Sequence, residues 1–412
     1  MRKIKLISFL FLLFALASTS CSSTPVYLDT FSIYQEYDDS FSSNYKVRKV
    51  SALKGKKDFF NAMDVSFLSA IEKSGQKFYD EKGYEKDFFS VLKADDVNGI
   101  RLRLFYDYTS PYGKEKNGDL DLDNVLAVAK RATKQKMKVI LDFHYSDSWA
   151  DPAHQQAPYA FKDMNFEEAK GALYTYTKNV MQAFEKEKVP LAYVQIGNEI
   201  DNGFCYPFGQ IDWSTEKSKK QGLDQVGELL KSTSRAVREI SPSTQIIIHT
   251  AMGLNSYNAT PSNALWFYHE IEERGVDYDI IGSSYYPFNS DTKISSLTSL
   301  INQITDAFQK PFMLMEYSYG FTIKNGDETP NFLHTTHQIP EYPLSIQGQT
   351  NVIIDILEQV AKAKNALGAC YWGGEWIPCQ GIADNNWENQ ALFTYEGIAL
   401  PSLSAYKKAR SK

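Results

Sequence analysis

Eight short apolar runs, at 59–65, 99–105, 137–143, 192–196, 245–249, 279–283, 311–315 and 368–372, punctuate the chain. Runs of that length suit strands better than helices, and their lack of a polar alternate face marks strands buried on both sides. Longer amphipathic stretches lie between them, at 124–135, 166–187, 225–240, 264–274, 294–308 and 350–365. In the first of these, Val125, Val128, Ala129 and Ala132 share one helical face. Strand and helix alternating in this way predict an α/β chain with a parallel sheet, and eight strands predict a (β/α)8 barrel with enlarged βα loops. No internal repeat or linker calls for a second domain.

The N-terminus stands apart from that pattern. Arg2, Lys3 and Lys5 precede an apolar run over 6–17 that is broken only by Ser8. The run is too short to span a bilayer and has the length of a secretory h-region. Cys21 follows the small residues Ser18, Thr19 and Ser20. The pattern resembles a bacterial lipoprotein signal, with Ser18 where that signal commonly has Leu; a plain secretory signal is the alternative. The expected organisation is a signal over 1–21 with an acylated Cys21, a Tyr/Ser-rich tether and extension over 22–54, and a catalytic barrel over 55–410. The expected location is the bacterial cell envelope, held by a lipid anchor to the outer membrane or cell surface. Export permits disulfides, yet Cys205, Cys370 and Cys379 are odd in number, so either one bridge or buried thiols fits.

A net charge of −6 exerts no long-range pull on nucleic-acid phosphates, so no nucleic-acid partner is expected. The chain is expected to be a monomer. Its 26 Tyr and 6 Trp suit flat, partly apolar ligands such as sugars, although aromatics also fill cores.

Barrel enzymes place their chemistry at the C-terminal ends of strands. Polar residues gather there repeatedly: Arg101 and Arg103, Asp142 to Asp151 with His144, Asp147 and Trp149, Asn198-Glu199, His249, Tyr285-Tyr286, Glu316, and Trp372. Glu199 and Glu316 each close an apolar strand, the fourth and the seventh, and so face each other across the mouth. One protonated carboxyl for a leaving oxygen and one carboxylate for an anomeric carbon are what glycoside hydrolysis requires. No H-E-x-x-H, C-x-x-C, G-x-G-x-x-G, P-loop or G-x-S-x-G pattern occurs, so zinc, nucleotide and serine-elbow chemistries lack their signatures.

These residues carry a resemblance. Met63-Asp-Val-Ser66, Gly99-Ile-Arg-Leu-Arg103, Asp142-Phe-His-Tyr-Ser-Asp-Ser-Trp-Ala-Asp-Pro152, Val194-Gln-Ile-Gly-Asn-Glu199 and Ser284-Tyr-Tyr-Pro287 resemble, in order, the arabinogalactan endo-β-1,4-galactanases of glycoside hydrolase family 53. Trp387-Glu-Asn-Gln-Ala-Leu-Phe393 and Gly397-Ile-Ala-Leu-Pro-Ser-Leu403 continue the match. The resemblance implies β-1,4-galactan as substrate, anomeric retention, Glu199 as acid/base and Glu316 as nucleophile. It implies that Asn198 bonds the sugar 2-hydroxyl. Arg101, preferred over Arg103, would orient Glu316, with Tyr286 or Tyr285 as a second donor. His144, Asp147, Trp149, His249 and Trp372 would line the sugar sites.

No cofactor is expected for the chemistry. Some bacterial members hold calcium in the loop after the nucleophile strand. Asn325, Asp327, Thr329 and Asn331 alternate in that loop, but an ordinary polar loop is the preferred reading. Asn289 stands where the family usually has an aromatic. A β-mannanase or β-glucanase of the same clan, or a surface lipoprotein that binds glycan without cutting it, are the alternatives.

Overall fold

The computed structural model describes residues 28–113, 120–251, 254, 261–379 and 385–410. The signal segment and Cys21 lie outside the described residues. Eight parallel strands form the barrel: β1 (Phe60–Asp64), β2 (Gly99–Leu104), β3 (Lys138–Phe143), β4 (Tyr193–Ile196), β5 (Gln245–Thr250), β6 (Ile280–Ser284), β7 (Phe312–Tyr317) and β8 (Ala366–Tyr371). They pair in chain order, and β1 closes the cylinder against β8. All eight coincide with the apolar runs to within two residues at either end.

Side chains alternate along a strand, which explains what fills the barrel and what crowns it. Phe60, Ala62, Ile140, Tyr193, Ile247, Ile280, Met313, Met315 and Cys370 pack together inside the cylinder as an apolar plug. Two residues further along the same strands stand Asp64, Asp142, Gln195 and His249, all buried. The interior therefore passes from apolar to charged within one pleat.

β7 departs from this parity. Met313 and Met315 belong to the plug, so strict alternation would turn Glu316 outward. The ladder slips instead: Ser283 pairs with Leu314 but Ser284 with Glu316, and Ala369 pairs with Leu314 but Tyr371 with Tyr317. One extra residue on β7 relative to both neighbours is a bulge, and it re-aims Glu316 into the mouth.

Helices α2 (Leu68–Lys73) and α3 (Phe88–Ala94) lie between β1 and β2, and α4 (Leu122–Lys134), α5 (Phe166–Lys186), α6 (Glu216–Ile240), α7 (Pro261–Glu273), α8 (Leu297–Phe308) and α9 (Ile346–Lys362) follow β2 to β7 in turn. Val125, Val128, Ala129 and Ala132 are the buried face of α4, as their spacing predicts. α6 starts nine residues before its expected beginning. Its first turns are Lys-rich and carry no apolar stripe, and the Thr215–Ser218 capping box starts them.

The stretch read as tether and extension contains a helix, α1 (Thr30–Tyr37), capped by Asp29. Its few apolar residues show no clear period. It is held by tertiary contacts: Tyr34 packs with Phe321, Ile398 and Leu400, and its hydroxyl donates to Ala399 O at 2.7 Å. Cys205, Cys370 and Cys379 are all free thiols, the first two buried.

Candidate active site

The turn after β4 sets the first carboxyl in place. Gly197 has φ +88°, and a Cβ there would come within 2.7 Å of Ile200 Cγ2. Glu199 itself has φ +46°, a left-handed conformation that L-residues with a side chain adopt at a cost. Gln155 braces the turn by donating from Nε2 to Asn198 O at 2.8 Å and Glu199 O at 3.3 Å. Such bracing presents Glu199 to the mouth while leaving it 8% exposed.

Arg101 organises the other side. Its five N–H donors meet five acceptors: Nε to Gln195 Oε1 (3.1 Å), Nη1 to Asp64 Oδ2 (3.2 Å) and Glu316 Oε1 (2.8 Å), and Nη2 to Asp142 Oδ2 (2.8 Å) and Asn198 Oδ1 (2.7 Å). A planar guanidinium whose donors are all engaged has no freedom to rotate, so it fixes Glu316 and Asn198 relative to each other. Tyr286 donates its hydroxyl to the second oxygen, Glu316 Oε2, at 2.7 Å. Tyr285, the alternative donor, bonds Thr292 O instead.

The two carboxyls differ electrostatically. Burial raises the pKa of Glu316, while Arg101 and then Tyr286 pull it back. Burial raises Glu199 much further, the Glu316 charge adds to this, and the hydroxyl of Ser284 offsets only part of it. No cation is paired with Glu199 among the described residues. Glu199 is therefore the carboxyl that keeps its proton longer. Asp142, although fully buried, is held below the usual range by Arg101 and His144.

Asn198 Oδ1 also lies 3.0 Å from Gln195 Nε2 and 2.9 Å from His249 Nδ1, while its Nδ2 donates to Ala150 O at 2.7 Å. One Nδ2 hydrogen remains for a ligand. His249 is wholly buried, with Nε2 2.9 Å from Ser284 Oγ, and burial, with Arg101 nearby, keeps it neutral. It touches Asn198 rather than the open cleft. His144 is also enclosed: Nδ1 accepts from Ala150 N at 3.0 Å and Nε2 lies 3.2 Å from Asp142 Oδ2. Asp147 accepts from Asp107 N, Ser110 Oγ and Tyr159 N, so it ties loops together. Neighbouring protein groups thus engage both His249 and Asp147, which the sequence places among the sugar-lining residues.

Trp149 and Trp372 are half-buried with ring centroids 6.1 Å apart. Arg103 lies between aromatic faces, 4.3 Å from Trp149, 4.6 Å from Phe67 and 5.4 Å from Trp372. Its nearest carboxylate oxygen, Asp64 Oδ1, is 3.5 Å away. The two arginines of β2 thus divide: Arg101 serves the carboxyls and Arg103 the tryptophans. Beside Trp149 a cleft of about 670 Å³ opens, walled by Asp151, His154, Gln155 and Tyr206.

Asp64, Asp142, Gln195 and Ser284 complete this network, although sequence reasoning assigned them no role. Parity was the available signal, since each lies on the inward side of its strand end. In the loop after β7, Asn325 Oδ1 accepts from Asn331, and Asp327 Oδ1 from Thr329 N. Buried Asn331 Oδ1 and Glu388 Oε2 lack partners among the described residues. Burial, with Asp327 close by, raises Glu388 to about 7. Asp327, Asn331 and Glu388 offer the hard oxygens calcium takes, as part of a shell of six to eight. No cluster of three or more His, Cys, Asp or Glu occurs among the described residues.

The sequence profile described as glycosyl hydrolase family 53 matches residues 60–406, the whole barrel. The chain belongs to this family. It is a glycoside hydrolase. It is 34% identical over 437 residues to the endo-beta-1,4-galactanase of Bacillus subtilis, covering 96% of each chain. It is 31% identical to the arabinogalactan endo-beta-1,4-galactanase of Cellvibrio japonicus, covering 85% of this chain and 90% of that one. The family 53 catalytic domain of Ignisphaera aggregans superposes with a TM-score of 0.81 at 32% identity, over 89% of this chain and 99% of the other.

Proposed function

We propose that this family 53 hydrolase cleaves β-1,4-galactan and the galactan of type I arabinogalactan within the chain, by double displacement with retention. The carrying observation is the asymmetry of two buried carboxyls: a guanidinium and a phenol donate to Glu316, and neither reaches Glu199. The curated relatives named for galactan and arabinogalactan support the substrate.

Glu316, ionised against Arg101, attacks the anomeric carbon while Glu199 gives its proton to the leaving oxygen. The free Nδ2 hydrogen of Asn198 bonds the 2-hydroxyl, a contact that strengthens as oxocarbenium character grows. With Glu316 esterified its charge is gone, so Glu199 falls in pKa and takes the proton of the attacking water. The sugar rings rest on Trp149 and Trp372. These steps use side chains alone.

NMR of the earliest product from linear galactan tests the reading: the β-anomer first supports it, the α-anomer first refutes retention. Glu316→Ala should lose activity and regain turnover with azide, and Glu199→Ala should suffer most on poor leaving groups. Release of reducing ends from mannan or cellulose but not galactan would move the enzyme to another activity of the clan. Galactan binding without release would make it a binding protein.

We also propose export with lipid attachment at Cys21, on the charged, apolar and small-residue pattern before it. Labelling with a fatty-acid analogue that disappears in Cys21→Ser supports this; labelling of neither form refutes it.

A further inference from the structure

Beyond the cleft, on the side of Glu199, two tryptophans stand together at the surface. Trp213 is 50% exposed, one of four large apolar side chains left open among the described residues. Its ring lies 5.2 Å from that of Trp266 in α7, tilted by 48°. A half-exposed indole keeps a large apolar area in water, so an isolated Trp would be expected to fold over or wander. This one is pinned. Its Nε1 donates to Asn202 Oδ1 at 3.2 Å, and Asn202 Nδ2 in turn donates to Pro152 O at 3.2 Å. The ring is therefore held in one orientation with a face toward solvent.

The pin also ties the ring to the catalytic turn. Asn202 follows Glu199 by three residues, so its Cα lies within roughly 10 Å of that of Glu199. Tyr206, which walls the cleft beside Trp149, donates its hydroxyl to Asn202 O at 2.9 Å. Gln155, another wall residue, is bonded to the carbonyls of Asn198 and Glu199. A chain of hydrogen bonds thus links the catalytic turn, through buried Gln155 and then Tyr206, to Asn202 and the tryptophan pair. Asp212 and Ser214 flank Trp213 with exposed polar groups of the kind that meet sugar hydroxyls. Aromatic faces bordered by polar groups suit a pyranose, which has an apolar face and a hydroxyl rim.

We propose that Trp213 and Trp266 form a distal glycan-binding platform that holds the departing part of a long β-1,4-galactan chain, a few rings beyond the bond being cut. This rests on the reading of Glu199 as the acid, because the leaving chain departs on the acid's side. The platform serves long substrates alone, since a short oligosaccharide bound across the carboxyls ends before reaching it.

Initial rates of the parent, Trp213→Ala, Trp266→Ala and Trp213→Phe on polymeric galactan and on galactotriose test the proposal. Trp213→Ala should raise KM on the polymer about tenfold with kcat nearly unchanged, as loss of one stacked ring predicts. Rates on galactotriose should stay within about twofold, and Trp213→Phe should keep most of the polymer affinity. Binding of the polymer to Glu316→Gln, followed by Trp fluorescence, should show a change that Trp213→Phe reduces in amplitude, the remainder coming from Trp149 and Trp372. Unchanged polymer KM in Trp213→Ala and Trp266→Ala would overturn the platform. So would an equal loss on both substrates, which marks a merely structural role. If the parent cuts another β-1,4-glycan instead, the proposed substrate fails, yet the same long-against-short comparison on that glycan still judges the platform.

Discussion

Removing one hydroxyl isolates the control of Glu316. Tyr286→Phe deletes the donor to Glu316 Oε2, a 2.7 Å contact, and leaves the 2.8 Å bond from Arg101 to Oε1. Hydrogen bonds to a charged group contribute about 1.5–3 kcal/mol. At 1.36 kcal/mol per pKa unit, losing the bond from the ionised form alone raises the pKa by about 1–2 units. The sign is set by which form receives the bond. The phenol donates to the carboxylate, so its loss disfavours the charged nucleophile, already raised by burial. In kcat/KM against pH, the acidic limb should move upward by about 1–2 units, with the plateau lowered and narrowed. Both limbs report macroscopic values of a coupled pair, so the comparison is of limb positions and not of single-site constants. Tyr285→Phe is the control, because that hydroxyl donates to Thr292 O. An acidic limb that stays in place or moves down in Tyr286→Phe would refute the reasoning, as would an equal shift in Tyr285→Phe.

Glu316→Gln mimics the neutral covalent intermediate; carbon NMR titration of Glu199 should then show a lower pKa than in the parent, because the facing charge is gone. Arg103→Met should raise KM several-fold and leave both pH limbs in place, since a desolvated cation–π contact contributes about 2 kcal/mol and Arg103 touches the tryptophans, with Asp64 at 3.5 Å, rather than Glu199 or Glu316. Glu375 is buried beside Asp64 and raised to about 8 by burial and that charge, while Oε1 accepts from Phe67 N at 2.9 Å. Its neutral form contributes stability that is full below the unfolded value near 4.5 and lost as pH rises through about 8; melting curves of Glu375→Gln should therefore fall less steeply across that window. Added calcium should raise Tm by a few degrees, and Asp327→Asn should abolish the response; no shift in the parent would mark an ordinary polar loop.

Much of the architecture was legible because it repeats. The apolar runs are dense enough to mark every barrel strand, and a closed parallel barrel places strand ends on one rim, so Glu199 and Glu316 could be nominated from position, while the family resemblance singled out Asn198 and Arg101. The stretch beginning at 166 forms α5 as expected, and in the structure an Asn165–Glu168 capping box holds its start. The tertiary structure decided what alternation leaves open. Arg101 and Arg103 share a side of β2 by parity, yet one meets five acceptors and the other three aromatic rings, because those partners come from different strands and loops. Glu316 would point outward by parity, and a bulge against two neighbouring strands turns it inward. His249 and Asp147 have residue types that suit a sugar site, but neighbouring protein groups close around them. α1 exists through contacts with residues some 290 to 370 positions away. Strand identity is a local property of spacing and burial, whereas the partner that finally satisfies a charge depends on which distant segments the closed barrel brings to it.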